Sequence, residues 1–151
     1  MKAWNTIDDI LDFAIGEEQA AADFYTTLAA QMERPTMRTT LEEFAAEESK
    51  HKARLIEVKE GGSFEADGQQ APDLKIGDYL IAFEPSPRMD YQDALIIAMK
   101  KEKAAFKLYS DLAASTQDGK LKALFLALAQ EEAKHKLHFE IEYDDYILTE
   151  N

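Results

Sequence analysis

The chain of 151 residues contains no cysteine. Disulfide bonds, thiolate zinc sites, iron–sulfur clusters and rubredoxin-type iron sites all need cysteine, so the sequence excludes them within this chain. The sequence also lacks an apolar run long enough to span a membrane, and it does not open with the apolar stretch of a signal peptide. We therefore expect a cytoplasmic protein.

Basic residues are scarce relative to acidic ones. The chain has 17 Lys and Arg against 30 Asp and Glu, which gives a net charge of −13. Such a surface repels nucleic acid and anionic lipid and attracts divalent cations, so we expect neither a nucleic-acid nor a membrane partner. The same charge is also typical of an ordinary acidic protein, and charge alone does not indicate a metal site.

Glycine and proline are few, with six and four residues, and most of them lie in the segment 61–89. Elsewhere, apolar residues recur at alternating spacings of four and three, which is typical of bundle helices. The sequence predicts an all-α fold, a ferritin-like four-helix bundle in a single domain over residues 1–151. Helical hairpins over about 6–60 and 90–148 are joined by a long crossover at 61–89, with room for a short helix near Leu74–Ile81.

Local signals predict where the helices begin and end. Thr6 and Asp90 are suited to cap the first and third helices. Pro35 fits the first turn of the second helix, which we expect to end at Gly61–Gly62. The pair Asp118–Gly119 separates the third helix from the fourth.

One short pattern occurs twice, 84 residues apart. Glu18 is followed by Glu48 and His51, and Glu102 is followed at the same spacing by Glu132 and His135. The neighbouring residues repeat without a gap. Residues Ala20, Ala21, Tyr25, Leu28, Ala29 and Ala30 recur as Ala104, Ala105, Tyr109, Leu112, Ala113 and Ala114.

All six residues of the pattern fall at core-facing positions. A glutamate in the centre of a bundle is costly unless a positive charge neutralises it. One Glu from each of two helices, with Glu-x-x-His from each of the other two, is the ligand set of a dinuclear carboxylate bundle. We predict such a centre, bridged by Glu48 and Glu132, with each His and the remaining Glu residues as terminal ligands. The alternative is that these are surface glutamates of an acid-rich chain.

Two further pairs of residues lie close to the predicted ligands. Glu47 and Glu131 are placed to accept a hydrogen bond from the outer nitrogen of the other hairpin's His, which would fix its tautomer. The alternative is that they are solvated acids beside lysines. Tyr25 and Tyr109 lie two turns after Glu18 and Glu102. They are either catalytic residues that donate to a ligand carboxylate or a bound oxygen species, or ordinary core aromatics.

These residues resemble those of a known family. The runs Glu18-Gln-Ala-Ala-Ala-Asp-Phe-Tyr25 and Glu102-Lys-Ala-Ala-Phe-Lys-Leu-Tyr109, with two Glu-Glu-x-Lys-His runs, are similar to rubrerythrin and other ferritin-like di-iron proteins. The resemblance covers nearly the whole chain. It implies two iron ions, with manganese or a mixed pair still open because mixed carboxylate and imidazole ligands suit either metal. It also implies a homodimer, and the long crossover would allow two chains to exchange hairpins.

The resemblance implies a di-iron oxidoreductase that reduces hydrogen peroxide, or reacts with oxygen as a ferroxidase. Rubrerythrins commonly carry a cysteine-rich rubredoxin domain that supplies electrons, so this chain would need an external electron-donor protein. Many also carry a further carboxylate at the position that Ala105 occupies here. Three classes therefore remain open: a peroxide-reducing enzyme, an iron-handling ferritin-like protein, and a bundle in which the metal is structural.

Overall fold

The computed structural model describes residues 6–61, Tyr79 and residues 90–150. Within these residues there are four helices and no strand: α1 (Ile7–Ala30), α2 (Pro35–Gly61), α3 (Tyr91–Ser115) and α4 (Gly119–Glu150). The four predicted helices are therefore present, and α4 extends two residues beyond the predicted end of its hairpin. None of the described helices is long and apolar enough to cross a membrane.

The chain divides into two compact units. We call Lys2–Asp73 the first unit, and Leu74–Asn151, with which Met1 is grouped, the second unit. In the first unit α1 packs against α2, and the apolar residues with the predicted spacing are turned inward. The buried apolar side chains are Ile10, Leu11, Ala14, Ala21, Ala22, Tyr25, Leu28 and Ala29 from α1, and Met37, Leu41, Ala45 and Leu55 from α2. The apolar stripe of α1 is wider than the predicted seam because Ile10, Ala22 and Ala29 join it.

In the second unit α3 packs against α4 with the same periodicity. Its buried apolar side chains are Ala94, Leu95, Ala98, Leu108, Tyr109, Leu112 and Ala113 from α3, and Leu121, Phe125, Leu128, Ala129 and Phe139 from α4. At the open end of this hairpin, the Tyr91 hydroxyl donates to Glu142 Oε1 at 2.8 Å, and the Tyr91 ring meets the Tyr146 ring edge-on. These contacts hold the start of α3 against the last turns of α4.

The predicted caps are confirmed. Thr6 and Asp9 form a reciprocal capping box, with Asp9 N donating to Thr6 Oγ1 and Thr6 N donating to Asp9 Oδ2. Asp90 caps α3 by accepting from Asp93 N at 2.8 Å. Asp118 accepts from Lys120 N and Leu121 N at the start of α4. Each bond satisfies amide groups that a helix start leaves without an intrahelical acceptor.

A residue of the neighbouring helix supports the end of α1. The helix ends at Ala30, where the guanidinium of Arg38 donates to the carbonyls of Ala29 and Ala30 at 3.1 and 3.3 Å. Arg38 of α2 thus supplies the positive charge that the last turn of α1 lacks.

A surface ion pair joins the two helices of the first unit near their open end. The Lys59 ammonium donates a hydrogen bond to Asp12. That hydrogen bond, together with the negative charges of Asp12, Asp8 and Glu60, raises the pKa of Lys59 above its ordinary value. Because both side chains are well exposed, the pair contributes little to stability and mainly sets the relative position of the helix ends.

Of the predicted crossover at 61–89, the structure describes Gly61 and Tyr79. The proposed short helix near Leu74–Ile81 otherwise lies outside the described residues. The ends at Gly61 and Tyr91 do show that a long connection joins α2 to α3. Tyr79 is 3% exposed, its hydroxyl donates to Asp111 Oδ2 at 2.7 Å, and the Lys107 ammonium lies 4.9 Å from its ring centroid. Tyr79 therefore anchors the crossover to α3.

Burial of Asp111 raises its carboxyl pKa, but hydrogen bonds from Lys107 and Tyr79 outweigh this effect, and the pKa lies below its ordinary value. The ionised carboxylate is therefore the form that the fold stabilises. Its contribution is complete above the ordinary carboxyl pKa and is lost as the pH falls through the lowered pKa of the folded state.

We expect Tyr79→Phe to lower the free energy of unfolding at pH 7 by about 1 kcal/mol, because it removes a hydrogen bond to a charged acceptor. Urea unfolding of Tyr79→Phe, Asp111→Ala and the double variant measures the coupling between the two side chains. Strict additivity of the two losses would show that the contact does not stabilise the chain.

Candidate metal centre

The first unit brings three of the predicted ligands together. Glu18 comes from α1, and Glu48 and His51 come from α2; we call them the first half-site. His51 Nδ1 lies 3.6 Å from Glu18 Oε2 and 3.5 Å from Glu48 Oε1. The three residues are only 1–2% exposed. Glu48 and His51 are one turn apart on the same face of α2, so a single helix can present both to one ion.

The second unit repeats this arrangement with Glu102 from α3 and Glu132 and His135 from α4, the second half-site. His135 Nδ1 lies 3.6 Å from Glu102 Oε1, which equals the distance between His51 and Glu18. Both glutamates are 1% exposed and His135 is 4% exposed. The sequence repeat therefore produces the same local geometry twice, with the same ring nitrogen turned toward the carboxylates.

The distances within each half-site fit a bound cation. Donor atoms about 2.1 Å from one ion, at angles of 90–120°, lie roughly 3.0–3.6 Å apart. The measured separations of 3.5–3.6 Å fall at the upper end of this range and are longer than an N–H···O hydrogen bond. In each half-site, one potential ligand atom from every residue lies within 4.8 Å of the others. The residues present therefore fit a metal ion.

The charges of the half-site residues also indicate a bound cation. Each half-site holds two carboxylates whose side chains are almost wholly removed from water. An ionised carboxylate in such surroundings is strongly destabilising unless a cation or proton compensates it. One divalent ion per half-site would neutralise the two carboxylates, and the imidazole would complete a mixed oxygen and nitrogen ligand set that suits iron or manganese.

Tyr25 and Tyr109 lie in the core, with 0% and 1% exposure. The Tyr25 ring meets Phe44 edge-on at a centroid distance of 6.4 Å, whereas Tyr109 is stacked on Phe125 at 6.5 Å with an interplanar angle of 11°. Through these ring contacts both tyrosines pack as aromatic residues of the hydrophobic core. A role as donors to a ligand carboxylate or a bound oxygen species stays a prediction.

Glu47 is exposed and Glu131 is half-buried. Their predicted hydrogen bonds to the outer nitrogen of each His also stay a prediction. The residues after the ligands show a contact that the sequence interpretation missed. Gln19 follows Glu18, Lys52 follows His51, and Lys52 Nζ donates to Gln19 Oε1 at 2.6 Å.

This hydrogen bond links α1 to α2 next to the first half-site. A comparison of the two copies of the repeat indicates that the second unit has different residues at the equivalent positions. Lys103 stands at the position that matches Gln19, so the equivalent pair in the second unit would be two lysines. Lys136, the counterpart of Lys52, instead donates to Glu140 on its own helix at 3.1 Å. The two half-sites therefore share their ligand geometry but differ in the polar contacts beside it.

The described residues are helical apart from short turns, and their two buried carboxylate–imidazole half-sites are typical of the ferritin-like class of carboxylate helix bundles. The family model for rubrerythrin matches residues 9–143. The chain therefore belongs to the rubrerythrin family, as the sequence resemblance predicted. The family and the clustered ligands are compatible with the binding of two iron ions.

A solved structure, described as a hypothetical protein from Pyrococcus furiosus, is similar to this chain with 26% sequence identity and a TM-score of 0.70. The match covers 89% of this chain and 86% of the other. It confirms the predicted fold class, an all-α four-helix bundle. None of the curated proteins matches the chain.

We expect Glu48→Ala and His135→Ala each to reduce the metal content of the purified protein well below two ions per chain, because each removes a ligand from a buried site. Glu43→Ala and His138→Ala are matched controls, since they remove exposed residues of the same types from the same helices. Elemental analysis measures the result. Unchanged metal content in both ligand variants would refute the assignment.

Metal removal is expected to destabilise the fold. At a free metal concentration of 100 times Kd, each ion that binds the folded state alone contributes about 2.7 kcal/mol, which corresponds to roughly 5–10 °C in Tm per ion for a chain of this size. Thermal melts with and without a chelator, with metal loss verified, test this expectation. Equal midpoints would mean that the buried carboxylates do not depend on the ions.

Proposed function

We propose that this protein is a di-iron oxidoreductase that reduces hydrogen peroxide with electrons from an external donor protein. The observation that supports it most directly is the pair of matched, buried half-sites in a chain of the rubrerythrin family. Burial indicates a centre that is protected from bulk water. Two metal ions would suit a reaction that needs two electrons.

In this proposal Glu18, Glu48 and His51 would hold one ion of a dinuclear centre, and Glu102, Glu132 and His135 would hold the other. Glu48 and Glu132 are the ligands expected to bridge the ions. The exact repeat of the ligand pattern supports this arrangement, since a pseudo-twofold pair of hairpins would present equivalent ligands to two equivalent ions. Four carboxylates and two divalent ions together form a neutral cluster.

If two iron ions were bound, they would supply the two electrons needed to reduce hydrogen peroxide to two water molecules, and the reaction would consume two protons. The imidazoles hold Nδ1 toward the carboxylates of the half-sites, as the distances of 3.5–3.6 Å support. The buried hydroxyls of Tyr25 and Tyr109 are candidates to orient the substrate or donate a proton.

The electrons must come from outside the chain. Without cysteine it can hold neither a rubredoxin-type centre nor an iron–sulfur cluster, which are the sites that would store an additional electron close to the irons. We propose a separate electron-donor protein. The strongly negative net charge of −13 would favour a donor with a basic contact surface.

One observation favours a second candidate, a ferroxidase or iron-handling protein. Alanine occupies the position one turn after the first ligand in both copies, as Ala21 and Ala105. Rubrerythrins often have a carboxylate at the position of Ala105, and its absence leaves a symmetric set of six ligands. A symmetric centre has no additional carboxylate to which one ion can shift when its redox state changes.

Stopped-flow mixing of the reduced, iron-loaded protein with hydrogen peroxide and, separately, with oxygen distinguishes the two candidates. We expect faster oxidation by peroxide, followed through the ferric absorption, because the peroxide O–O bond accepts both electrons in one step. The protein without iron is the control. Faster oxidation by oxygen with growth of a ferric mineral would favour iron handling, and inertness toward both oxidants would leave a structural metal site.

A further inference from the structure

The residues that flank the ligands differ in charge between the two copies of the repeat. In residues 16–20 of α1, the neighbours of Glu18 include one acid, Glu17, and no basic residue. In the matching residues 100–104 of α3, the neighbours of Glu102 are three lysines and an alanine, namely Lys100, Lys101, Lys103 and Ala104. The formal charge beside this glutamate is therefore −1 in the first half-site and +3 in the second.

The flanks of the two Glu-x-x-His runs do not share this difference. Besides the ligands, residues 47–52 contain one acid and two lysines, namely Glu47, Lys50 and Lys52. Residues 131–136 contain the same set, namely Glu131, Lys134 and Lys136. The formal charge of these flanks is +1 in both copies, so the charge difference between the half-sites comes from α1 and α3.

A chain of two hydrogen bonds connects α2 to α1 beside the first half-site. Lys52 Nζ donates to Gln19 Oε1 at 2.6 Å, and Gln19 Nε2 donates to Asp23 Oδ1 at 2.9 Å. Gln19 and Lys52 are half-buried and directly follow the ligands Glu18 and His51. Their hydrogen bond therefore restrains the two helices at the height of these ligands.

The equivalent hydrogen bond cannot form in the second unit. Lys103 stands in the place of Gln19, and an ammonium group offers no acceptor to a second lysine. Lys136, the counterpart of Lys52, donates to Glu140 on its own helix at 3.1 Å. The second half-site therefore lacks this restraint between its two helices.

Both differences change the affinity for a cation in the same direction. Lysines near a divalent cation repel it and an acid attracts it, although water and salt weaken the effect of exposed charges. Four unit charges at roughly 10 Å correspond to about a tenfold difference in affinity at low ionic strength. Ligands that are already held in place lose less freedom on binding, so the interhelical hydrogen bond adds to the advantage of the first half-site.

We propose that the first half-site binds a divalent cation more tightly than the second and fills first, and that Gln19 and the lysines beside Glu102 set this order. At limiting metal the chain would carry one ion, held by Glu18, Glu48 and His51. The ligands of the half-sites are equivalent, but their surroundings are not. This inference rests on the metal binding that we propose for the half-sites, and it is independent of the peroxide reaction.

Isothermal titration calorimetry of the metal-free full chain with Mn(II), without oxygen and at low ionic strength, measures both affinities. We expect two steps whose dissociation constants differ by about tenfold. Crystals grown with one equivalent of manganese show which half-site holds the first ion, and we expect the anomalous peak beside His51 Nδ1. Equal affinities, a first ion beside His135, or no bound manganese would overturn the proposal.

The result is separable from the test of the peroxide reaction. Ordered binding of manganese in a protein whose iron form is inert toward peroxide would refute the reaction and support the order of binding. Equal affinities in a protein that reacts rapidly with peroxide would refute the order of binding alone.

The role of the lysines is tested by the double variant Lys100→Gln/Lys103→Gln, since both side chains are exposed. Removing two of the four charges is expected to strengthen the second step about threefold, and added salt is expected to narrow the difference between the steps. The matched control is Lys120→Gln/Lys122→Gln, which removes two exposed lysines about 15–18 Å before Glu132 along α4. An equal response to both double variants, or none to the first, would contradict the role of charge.

The role of the interhelical hydrogen bond is tested by Gln19→Met, which removes the acceptor of Lys52 without a change in charge. We expect the first step to weaken severalfold at every salt concentration, with the second step unchanged. Gln117→Met removes an exposed glutamine from the turn before α4 and is the matched control. An unchanged first step in Gln19→Met, with helical content retained, would refute the role of Gln19.

Discussion

Four glutamates that are almost wholly buried dominate the energetics of this chain. Hydrophobic burial around them can be supplied by many sequences, but four carboxylates at 1–2% exposure need compensating positive charge inside the protein. The histidines alone are weak compensation, since a neutral imidazole carries no charge. Divalent cations meet this need with the oxygen and nitrogen donors already in place. Metal binding and folding are therefore expected to be coupled.

The duplication gives this requirement a simple structural solution. Each hairpin carries one glutamate on its first helix and Glu-x-x-His on its second, and both hairpins have the same distance of 3.6 Å from the His Nδ1 to the glutamate of the first helix. Outside the ligands the copies have diverged. Within the described helices, the hydrogen bond from Lys52 to Gln19 belongs to the first copy, and four of the exposed large apolar side chains lie on α4 of the second copy. Divergence at the surface with identity at the ligands is what we expect when one function constrains the core and others act on the exterior.

The sequence predicted much of this structure for physical reasons. Helix positions followed from apolar periodicity, starts followed from Thr6 and Asp90, and the ligands followed from costly glutamates at core positions. Side-chain contacts between helices were harder to predict. Arg38 of α2 donates to a carbonyl at the end of α1, and Tyr91 donates to Glu142. The residues around Arg38 and Tyr91 in the sequence contain no pattern that indicates these partners. For the crossover, the sequence indicated only its length and its composition. The contacts of Tyr79 with Asp111 and Lys107 could not be predicted from these properties.

Each half-site is expected to hold one metal ion through the Nδ1 atom of its histidine. Anomalous X-ray diffraction from crystals of the iron-loaded protein, recorded on both sides of the iron absorption edge, locates the ions. We expect two iron peaks per chain, one about 2.1 Å from His51 Nδ1 and one at the same distance from His135 Nδ1. Peaks confined to surface carboxylates, or half-sites without iron in protein that retains it, would show that the half-sites are not the metal-binding residues.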